Sequence, residues 1–247
     1  IFEKVPEKKM KIEFIGDSIS SGEGTIGAKL EDDWISMWFS TTNNYAVITS
    51  KKLDADFRIL SQSGWGVLCG WDNNPNHALP RYYEQVCGVV NGKINEELGA
   101  FNYNDFESWQ PDVIVVNLGT NDGGAFTSPE WIDETTKESF KQHIDDDGNY
   151  NKNDIKRFEN AIIKFLCKIR KNNRKAKIVW AYGMLGTPMM KYIYRSIEKY
   201  QNEFNDDKVF ITQLPNTTEE TVGARKHPGK LNHEIAANQL WDFIRNL

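Results

Sequence analysis

Short apolar runs alternate with longer amphipathic segments, and this alternation constrains the fold of the 247-residue chain more than any other feature. Residues 113–116 and 178–180 are uninterrupted apolar runs, which is typical of parallel strands covered on both faces. Residues 154–171 instead carry apolar side chains at three-to-four spacing, which indicates a helix with one buried face. The pattern therefore predicts an α/β fold, a three-layer α/β/α sandwich around a central, mostly parallel five-stranded sheet.

Five strands and five helices are predicted along the chain. The strands cover residues 10–15, 57–60, 113–118, 177–182 and 209–213. The helices cover residues 44–53, 131–144, 154–171, 188–204 and 232–245. Ligands of such sheets bind beyond the carboxyl ends of the strands, so polar residues that directly follow a strand are the first candidates for a site.

Charge and composition argue against several kinds of partner. The net charge is −5 and no basic stripe stands out, which argues against nucleic-acid binding. No stretch approaches the ~20 apolar residues of a membrane span. The acidic run at residues 145–149 has its glycine at the wrong position for a calcium loop and lacks a closing glutamate, so it predicts a solvated turn and no metal. A disulfide between Cys69 and Cys87 stays open as an alternative, if loops bring the two together.

The first apolar run ends abruptly in Gly16-Asp17-Ser18. A serine on a tight turn at the end of a strand presents its hydroxyl to the crevice, where a base can activate it. The alternative is a helix N-cap, a common role for serine after a strand. Taken alone, the motif does not separate a nucleophile from a cap.

Three further residues supply what ester hydrolysis needs besides a nucleophile, namely a base and donors for the developing oxyanion. Asn121 follows the third strand, and its amide is a candidate oxyanion donor, with an Asx turn as the alternative. The backbone N–H groups of Ser18 and Gly64 are the other candidate donors, since a glycine allows close approach of the backbone. His227 lies in a polar loop before the last helix and is the candidate base. The other three histidines are expected on the surface: His77, His143 and His233.

In their order along the chain, these motifs resemble those of the SGNH (GDSL-type) hydrolases. The motifs are Gly16-Asp17-Ser18, Gly64, Gly119-Thr120-Asn121-Asp122 and His227-Pro228, and the resemblance covers residues 11 to about 240. Residues 14–19 and 180–186 most resemble the catalytic domain of carbohydrate esterase family 2 acetyl esterases. The resemblance implies a flavodoxin-like fold and a secreted serine esterase that needs no cofactor.

The resemblance also implies a substrate and a domain context. The expected reaction removes O-acetyl groups from plant polysaccharides such as xylan and mannan, through an acetyl-enzyme on Ser18 with His227 as base. In this family the hydrolase domain usually follows a small β-sandwich. Since the chain starts at Ile1, too close to the first strand to contain one, we expect residues 1–247 to be a single hydrolase domain excised from a longer chain.

Ala224 departs from the resemblance, because the family usually has an aspartate three residues before the catalytic histidine. That acid orients the imidazole and stabilises its charged form. Three alternatives follow. A backbone carbonyl or an amide side chain orients His227 and leaves a working Ser–His dyad, which is the interpretation we favour. An acid from elsewhere folds into reach, with three candidates: Glu23, Asp72 and Asp122. Alternatively, the site is impaired and the domain serves for binding.

Aromatic residues in the loops are candidates for stacking on sugar rings, although packing within the core and loops is the ordinary role of such residues. The predicted substrate contacts are Trp65, Trp71, Trp180 and Asp17, and two further tryptophans, Trp34 and Trp38, are candidates to shape the cleft. Two rival functions remain open. One is a GDSL lipase or thioesterase that acts on other acyl esters, and the other is a glycan-binding module with a vestigial esterase site.

Overall fold

The computed structural model describes residues 6–90 and 92–247 and has a central sheet of five parallel strands in the order β2-β1-β3-β6-β7. These strands are β1 (Met10–Gly16), β2 (Ala55–Ser61), β3 (Val113–Asn117), β6 (Lys177–Gly183) and β7 (Val209–Leu214). Two short strands, β4 (Trp131–Ile132) and β5 (Ser139–Phe140), form a separate antiparallel hairpin. All five predicted strands are confirmed, each to within two residues at either end.

Helices cover both faces of the sheet, as the predicted three-layer sandwich requires. They are α1 (Ser18–Ser21), α2 (Tyr45–Lys52), α3 (Lys93–Glu97), α4 (Thr120–Ala125), α5 (Lys152–Asn172), α6 (Met190–Phe204) and α7 (Lys230–Arg245). Helices α5 and α6 pack on one face, and α2 and α7 pack on the other. The predicted helices at 44–53, 154–171, 188–204 and 232–245 correspond to α2, α5, α6 and α7 and are confirmed.

Helix α5 shows why the amphipathic pattern is a reliable guide. The Asn151 side chain accepts hydrogen bonds from the N–H groups of Asn153 and Asp154 and so caps the first turn. The apolar stripe then buries Phe158 and Leu166 completely against the sheet. Capping and burial agree over the whole segment, so the helix forms where the sequence predicts it.

The predicted helix at residues 131–144 is wrong, because this segment forms the β4–β5 hairpin. The Asp133 carboxylate accepts hydrogen bonds from the N–H groups of Thr135 and Thr136 at 2.8 and 2.7 Å, which offers the backbone a turn instead of a helical turn. Lys137 then adopts a left-handed conformation with φ of 62° and reverses the chain. The local side-chain hydrogen bonds outweigh the weak apolar periodicity of this segment.

Two smaller expectations have opposite outcomes. Residues 145–149 form the predicted turn, in which the Asp145 N–H donates to the Asn149 carbonyl at 2.7 Å. Cys69 is buried, Cys87 is exposed and both are free thiols, so the possible disulfide between them is not formed.

Over the described residues, no helix combines the length and apolar character needed to cross a membrane.

The sheet register brings the candidate site residues together at one edge. Gly16, the last residue of β1, is aligned with Ser61 at the end of β2 and with Asn117 at the end of β3. The turns that follow these three strands carry Ser18, Gly64 and Asn121. They therefore meet beyond the carboxyl end of the sheet, where a ligand crevice is expected.

Candidate active site

Ser18 begins the single-turn helix α1, which follows β1 directly. The N-cap is Asp17, whose Oδ1 accepts a hydrogen bond from the Ile19 N–H at 3.0 Å. Gly22 ends the helix in a left-handed conformation with φ of 77°. Because Asp17 caps the helix, the hydroxyl of Ser18 is left for the crevice, which removes the helix-cap alternative for Ser18.

The side chains of Ser18 and His227, 209 residues apart in the chain, form a hydrogen bond. The Ser18 Oγ lies 2.9 Å from His227 Nε2, and His227 Nδ1 lies 2.9 Å from the Arg225 carbonyl oxygen. A carbonyl oxygen can only accept, so Nδ1 carries the proton and Nε2 accepts from the serine hydroxyl. This is the tautomer that a general base for Ser18 requires.

The geometry bears on the first two alternatives that Ala224 left open, namely which group orients His227. A backbone carbonyl, that of Arg225, takes the place of the missing acid at Nδ1. Asp72 instead pairs with His77 at 3.1 Å, and Asp122 is bonded to a backbone loop. The Glu23 carboxylate does approach the imidazole, but its Oε1 lies 3.9 Å from Nε2, the nitrogen that faces Ser18.

Glycines allow the loops carrying Ser18 and His227 to pack backbone against backbone. A Cβ at Gly24 would lie 2.7 Å from the His227 Cβ and 2.3 Å from the Ala224 carbonyl oxygen. A Cβ at Gly223 would lie 2.0 Å from the Gly24 carbonyl oxygen. The Ala224 N–H donates to that same carbonyl at 2.9 Å and locks the two loops together. The close approach of Ser18 and His227 therefore depends on the absence of side chains at Gly24 and Gly223.

The three predicted oxyanion donors differ in the hydrogen bonds that they already make. Gly64 has a φ of 80°, and its N–H makes no hydrogen bond to any described residue. The Ser18 N–H lies at the start of α1, where a helix leaves its donors unpaired. The Asn121 Nδ2 already donates to Asp17 Oδ2 at 3.1 Å and to the Trp65 carbonyl at 2.9 Å. Asn121 therefore ties the serine turn to the Gly64 turn, and its amide would have to give up one of these bonds to donate to an oxyanion.

Asp122 has a supporting role that sequence reasoning did not identify. Its carboxylate accepts hydrogen bonds from the backbone N–H groups of Val67, Leu68 and Cys69 at 2.9, 2.8 and 3.3 Å. Gly66 lies directly against it, since a Cβ there would be 2.3 Å from Asp122 Oδ2. The carboxylate thereby fixes the loop that follows Gly64. Its position, next to Asn121 and after a buried strand, is the signal that could have revealed it.

Burial shapes the electrostatics of the two buried aspartates. Desolvation raises the pKa of Asp17 to about 7, opposed by its bond from the Ile19 N–H and assisted by the nearby charges of Asp122 and Glu23. Desolvation also raises the pKa of Asp122 to about 6, against the lowering effect of its three backbone donors. The crevice therefore rests on carboxyl groups that are costly to ionise.

Two of the predicted substrate contacts need correction. Trp180 is completely buried, with its Nε1–H donating to the Leu118 carbonyl at 3.1 Å, so it belongs to the core and cannot stack on a sugar. Asp17 is also completely buried and holds Ile19 and Asn121 rather than a ligand. Asp17 directly follows β1 and Trp180 lies in the middle of β6, and sequence position alone does not tell which way either side chain points.

The other tryptophans differ in what they offer the crevice. Trp71 is 56% exposed and lies beside Gly64, whose added Cβ would be 3.1 Å from the Trp71 ring. Trp65 is half-buried and stacks on His77, with ring centroids 5.2 Å apart. Trp34 is exposed and packs edge-on against Phe39, and Trp38 is half-buried.

The histidines are also unlike in their surroundings. His233 is completely buried in α7, and its Nδ1 accepts from the Tyr45 N–H at 3.1 Å, so its expected surface position is wrong. Burial lowers the pKa of His233 to about 3, helped by the field of His227. Within residues 6–90 and 92–247, no group of three or more His, Cys, Asp or Glu side chains is arranged to hold a metal ion.

Comparison with solved structures confirms the α/β fold and shows which proteins share it. The chain resembles an acetyl xylan esterase, Est2A, from the rumen bacterium Butyrivibrio proteoclasticus, with a TM-score of 0.97 and 48% identity over 100% of this chain and 66% of that one. It also resembles a family two carbohydrate esterase from Clostridium thermocellum, solved in complex with cellohexaose, with a TM-score of 0.79 and 24% identity over 99% of this chain and 66% of that one.

Sequence relatives agree with the structural ones. The chain is 29% identical to an acetylxylan esterase / glucomannan deacetylase from Cellvibrio japonicus over 71% of this chain and 42% of that protein. It is 24% identical to the cellulase/esterase CelE of Acetivibrio thermocellus over 96% of this chain. The chain spans a quarter of the length of CelE.

The GDSL-like lipase/acylhydrolase family matches residues 14–207, which include Ser18, Gly64 and Asn121. The resemblance to SGNH hydrolases expected from the motifs is thereby confirmed. This chain belongs to the GDSL-like lipase/acylhydrolase family.

Proposed function

We propose that this chain is a serine esterase that removes O-acetyl groups from plant cell-wall polysaccharides of the xylan or glucomannan type. The observation that carries the proposal is the chain of two 2.9 Å hydrogen bonds from the Ser18 hydroxyl through the imidazole of His227 to the Arg225 carbonyl. The likeness to Est2A, at 48% identity, supports an acetyl ester on xylan as the substrate.

The first half of the reaction transfers the acetyl group to the enzyme. His227 Nε2 takes the proton of Ser18 Oγ as this oxygen attacks the acetyl carbonyl. The N–H groups of Ser18 and Gly64 then face the developing oxyanion, and Asn121 adds a third donor by exchanging a bond to the crevice wall. The imidazolium gives its proton to the departing sugar hydroxyl, and acetyl-Ser18 remains.

The second half returns the enzyme to its starting state. His227 removes a proton from a water molecule, and the hydroxide attacks the carbonyl of acetyl-Ser18. The same donors hold the second oxyanion. Acetate leaves as His227 returns the proton to Ser18 Oγ. Each proton transfer in the cycle passes through His227, and water is the second reactant.

Acetate release from acetylated xylan and acetylated glucomannan tests the proposal. Ser18→Ala and His227→Ala should each lower kcat by at least ~10⁴-fold, because nucleophile and base act as one unit. Ser139→Ala, which changes an exposed serine in the β4–β5 hairpin, is the matched control and should keep full activity. Undiminished release by the Ser18→Ala variant would refute the proposal.

Two comparisons separate the proposal from its rivals. A lipase or thioesterase would prefer p-nitrophenyl octanoate, whereas the proposed enzyme should hydrolyse p-nitrophenyl acetate faster. A glycan-binding module would show heat of binding to xylan oligosaccharides in titration calorimetry with no acetate release from the acetylated polymer. Trp71, exposed beside Gly64, is the aromatic residue that we propose to contact the sugar.

The remaining expectations concern context. Secretion and an accompanying N-terminal β-sandwich stay predictions based on resemblance to the esterases. Secretion is consistent with the proposed substrate, because plant cell-wall polysaccharides lie outside the cell that degrades them.

A further inference from the structure

The backbone that holds His227 is strained, and this raises the question of what keeps it in place. Arg225 and Lys226 have φ values of 54° and 56°, in the left-handed region that non-glycine residues seldom adopt. Arg225 supplies the carbonyl that accepts the Nδ1 proton of His227. The orientation of the base therefore depends on a conformation that the chain would leave if nothing held it.

The Arg225 side chain and N–H provide that hold. Its Nε donates to Glu23 Oε1 at 2.8 Å and its Nη1 donates to the Asp32 carbonyl at 3.0 Å. Its backbone N–H donates to the Glu31 carbonyl at 2.7 Å. The Glu23 side chain is only 3% exposed and that of Arg225 is 31% exposed, so the carboxylate is buried while the guanidinium reaches the surface.

Glu23 faces His227 as well as Arg225. Its Oε1 lies 3.9 Å from His227 Nε2, too far for a hydrogen bond but close for an attraction between charges in a buried site. The charge of the imidazole appears only while the base holds the serine proton. A carboxylate in this place stabilises the charged form, which is the second task of the acid in a complete triad.

We propose that Glu23 and Arg225 together replace the missing acid of the triad, in a division of labour that rests on the proposed esterase function. Arg225 presents its carbonyl to Nδ1 and so fixes the tautomer and direction of the imidazole. Glu23 anchors Arg225 and stabilises the imidazolium. Both are positioning residues, since they act on the reaction through His227.

The charges around the imidazole come from several elements. Glu23 and Arg225 lie in the loops after α1 and before α7, and Asp17 precedes α1. His233 lies in α7 and is buried. Asp17 caps the helix that carries Ser18, and His233 is packed in the core, whereas Glu23 and Arg225 can be altered without removing either of those supports. They are therefore the positions at which to test the proposal.

Glu23→Gln removes the charge and keeps the shape of the side chain. With p-nitrophenyl acetate, kcat should fall by about tenfold or more, the factor that ~1.4 kcal/mol of barrier produces, with KM nearly unchanged. The acidic limb of the kcat/KM profile should move to lower pH, because loss of the carboxylate disfavours the protonated imidazole. Arg225→Lys, which keeps the positive charge, should retain more of kcat than Arg225→Met.

Glu159→Gln is the matched control, because Glu159 pairs with Arg195 between α5 and α6, on the face of the sheet opposite α7. It should leave kcat and the pH profile unchanged. Nitrogen-15 NMR of the histidines gives a readout that does not depend on turnover: the wild type should show His227 protonated at Nδ1, and Arg225→Met should show a mixture of tautomers.

Three results would overturn the proposal: an unchanged kcat in Glu23→Gln, an acidic limb that does not move, or a single Nδ1–H tautomer in Arg225→Met. If a variant melts below the assay temperature, all variants and the wild type are compared at a lower temperature at which each of them is folded. Failure of the esterase proposal itself would look different, since the wild type would then release no acetate.

Discussion

Single residues decide whether Ser18 and His227 meet. The Gly-Asp-Ser turn and the histidine before the last helix are visible in the sequence, and each is in the expected place. What holds the histidine is not visible, because a backbone carbonyl leaves no trace in residue identity. The sequence also does not reveal why Gly24 and Gly223 matter. A Cβ at either position would lie only 2.0–2.7 Å from atoms of the opposite loop.

Gly24→Ala should separate the two loops. The added Cβ meets the Ala224 carbonyl oxygen and the His227 Cβ, and the φ of 71° is strained for alanine. We expect a loss of ~1–3 kcal/mol in the free energy of unfolding and a drop of at least about tenfold in kcat. Denaturant melts and p-nitrophenyl acetate kinetics measure the two effects.

Gly148→Ala is the control for backbone strain alone. Gly148 has a φ of 79°, but a Cβ there would meet nothing within 4 Å. This variant should lose stability without losing kcat. Equal losses of kcat in the two variants would show that close packing of the loops is not what aligns the base.

Whole elements follow from the sequence where burial and local chemistry agree. Strands β3 and β6 contain continuous apolar runs, and α5 combines an apolar stripe with an asparagine cap. The segment at 131–144 fails because Asp133 offers the backbone a turn that apolar periodicity does not reveal. The side of the sheet to which Trp180 points is likewise set by the pleat and register of β6, and a run of apolar residues does not reveal it.

Strand β1 carries a carboxyl group with a measurable consequence for stability. Burial raises the pKa of Glu13 to about 7, opposed by its bond from the Tyr83 hydroxyl at 2.9 Å and by the charge of Arg58. The folded state then binds the proton more tightly than the unfolded state. Stability should therefore fall as pH rises from about 4.5 to about 7 and stay reduced above that range.

Glu13→Gln should remove this contribution. We expect the variant to gain ~1–3 kcal/mol relative to wild type on going from pH 5 to pH 8, measured by urea unfolding at both pH values. Asp17 and Asp122 are present in both proteins, so the difference isolates Glu13. Glu134→Gln, an exposed carboxylate between β4 and β5, is the control. A wild-type and Glu13→Gln pair with parallel pH dependence would contradict the account.

At the scale of the whole molecule, two apolar layers hold the sheet edge that carries the site. One layer lies under α5 and α6 and the other under α2 and α7. The alternation of strands and helices predicts both layers and places the crevice at the carboxyl ends of the strands. It cannot predict the contact between loops 209 residues apart, which depends on how the ends of β1 and the start of α7 meet.

Leu240→Ala should test how far core stability and chemistry are separable. Leu240 is completely buried in α7 against the sheet, so its truncation should cost ~2–5 kcal/mol of unfolding free energy. Well below the melting temperature, kcat should stay within about twofold of wild type, which corresponds to ~0.4 kcal/mol in the activation barrier. Leu231→Ala, 50% exposed in the same helix, should cost less than ~0.5 kcal/mol.

The most direct test of the account is covalent labelling with diethyl p-nitrophenyl phosphate, which traps an activated serine. We predict one diethylphosphoryl group per chain, located on Ser18 by peptide mass mapping, with loss of esterase activity in proportion to labelling. His227→Ala should label far more slowly, and Ser139→Ala should label like wild type. Labelling at another residue, or full activity in a chain whose Ser18 is fully labelled, would contradict the account.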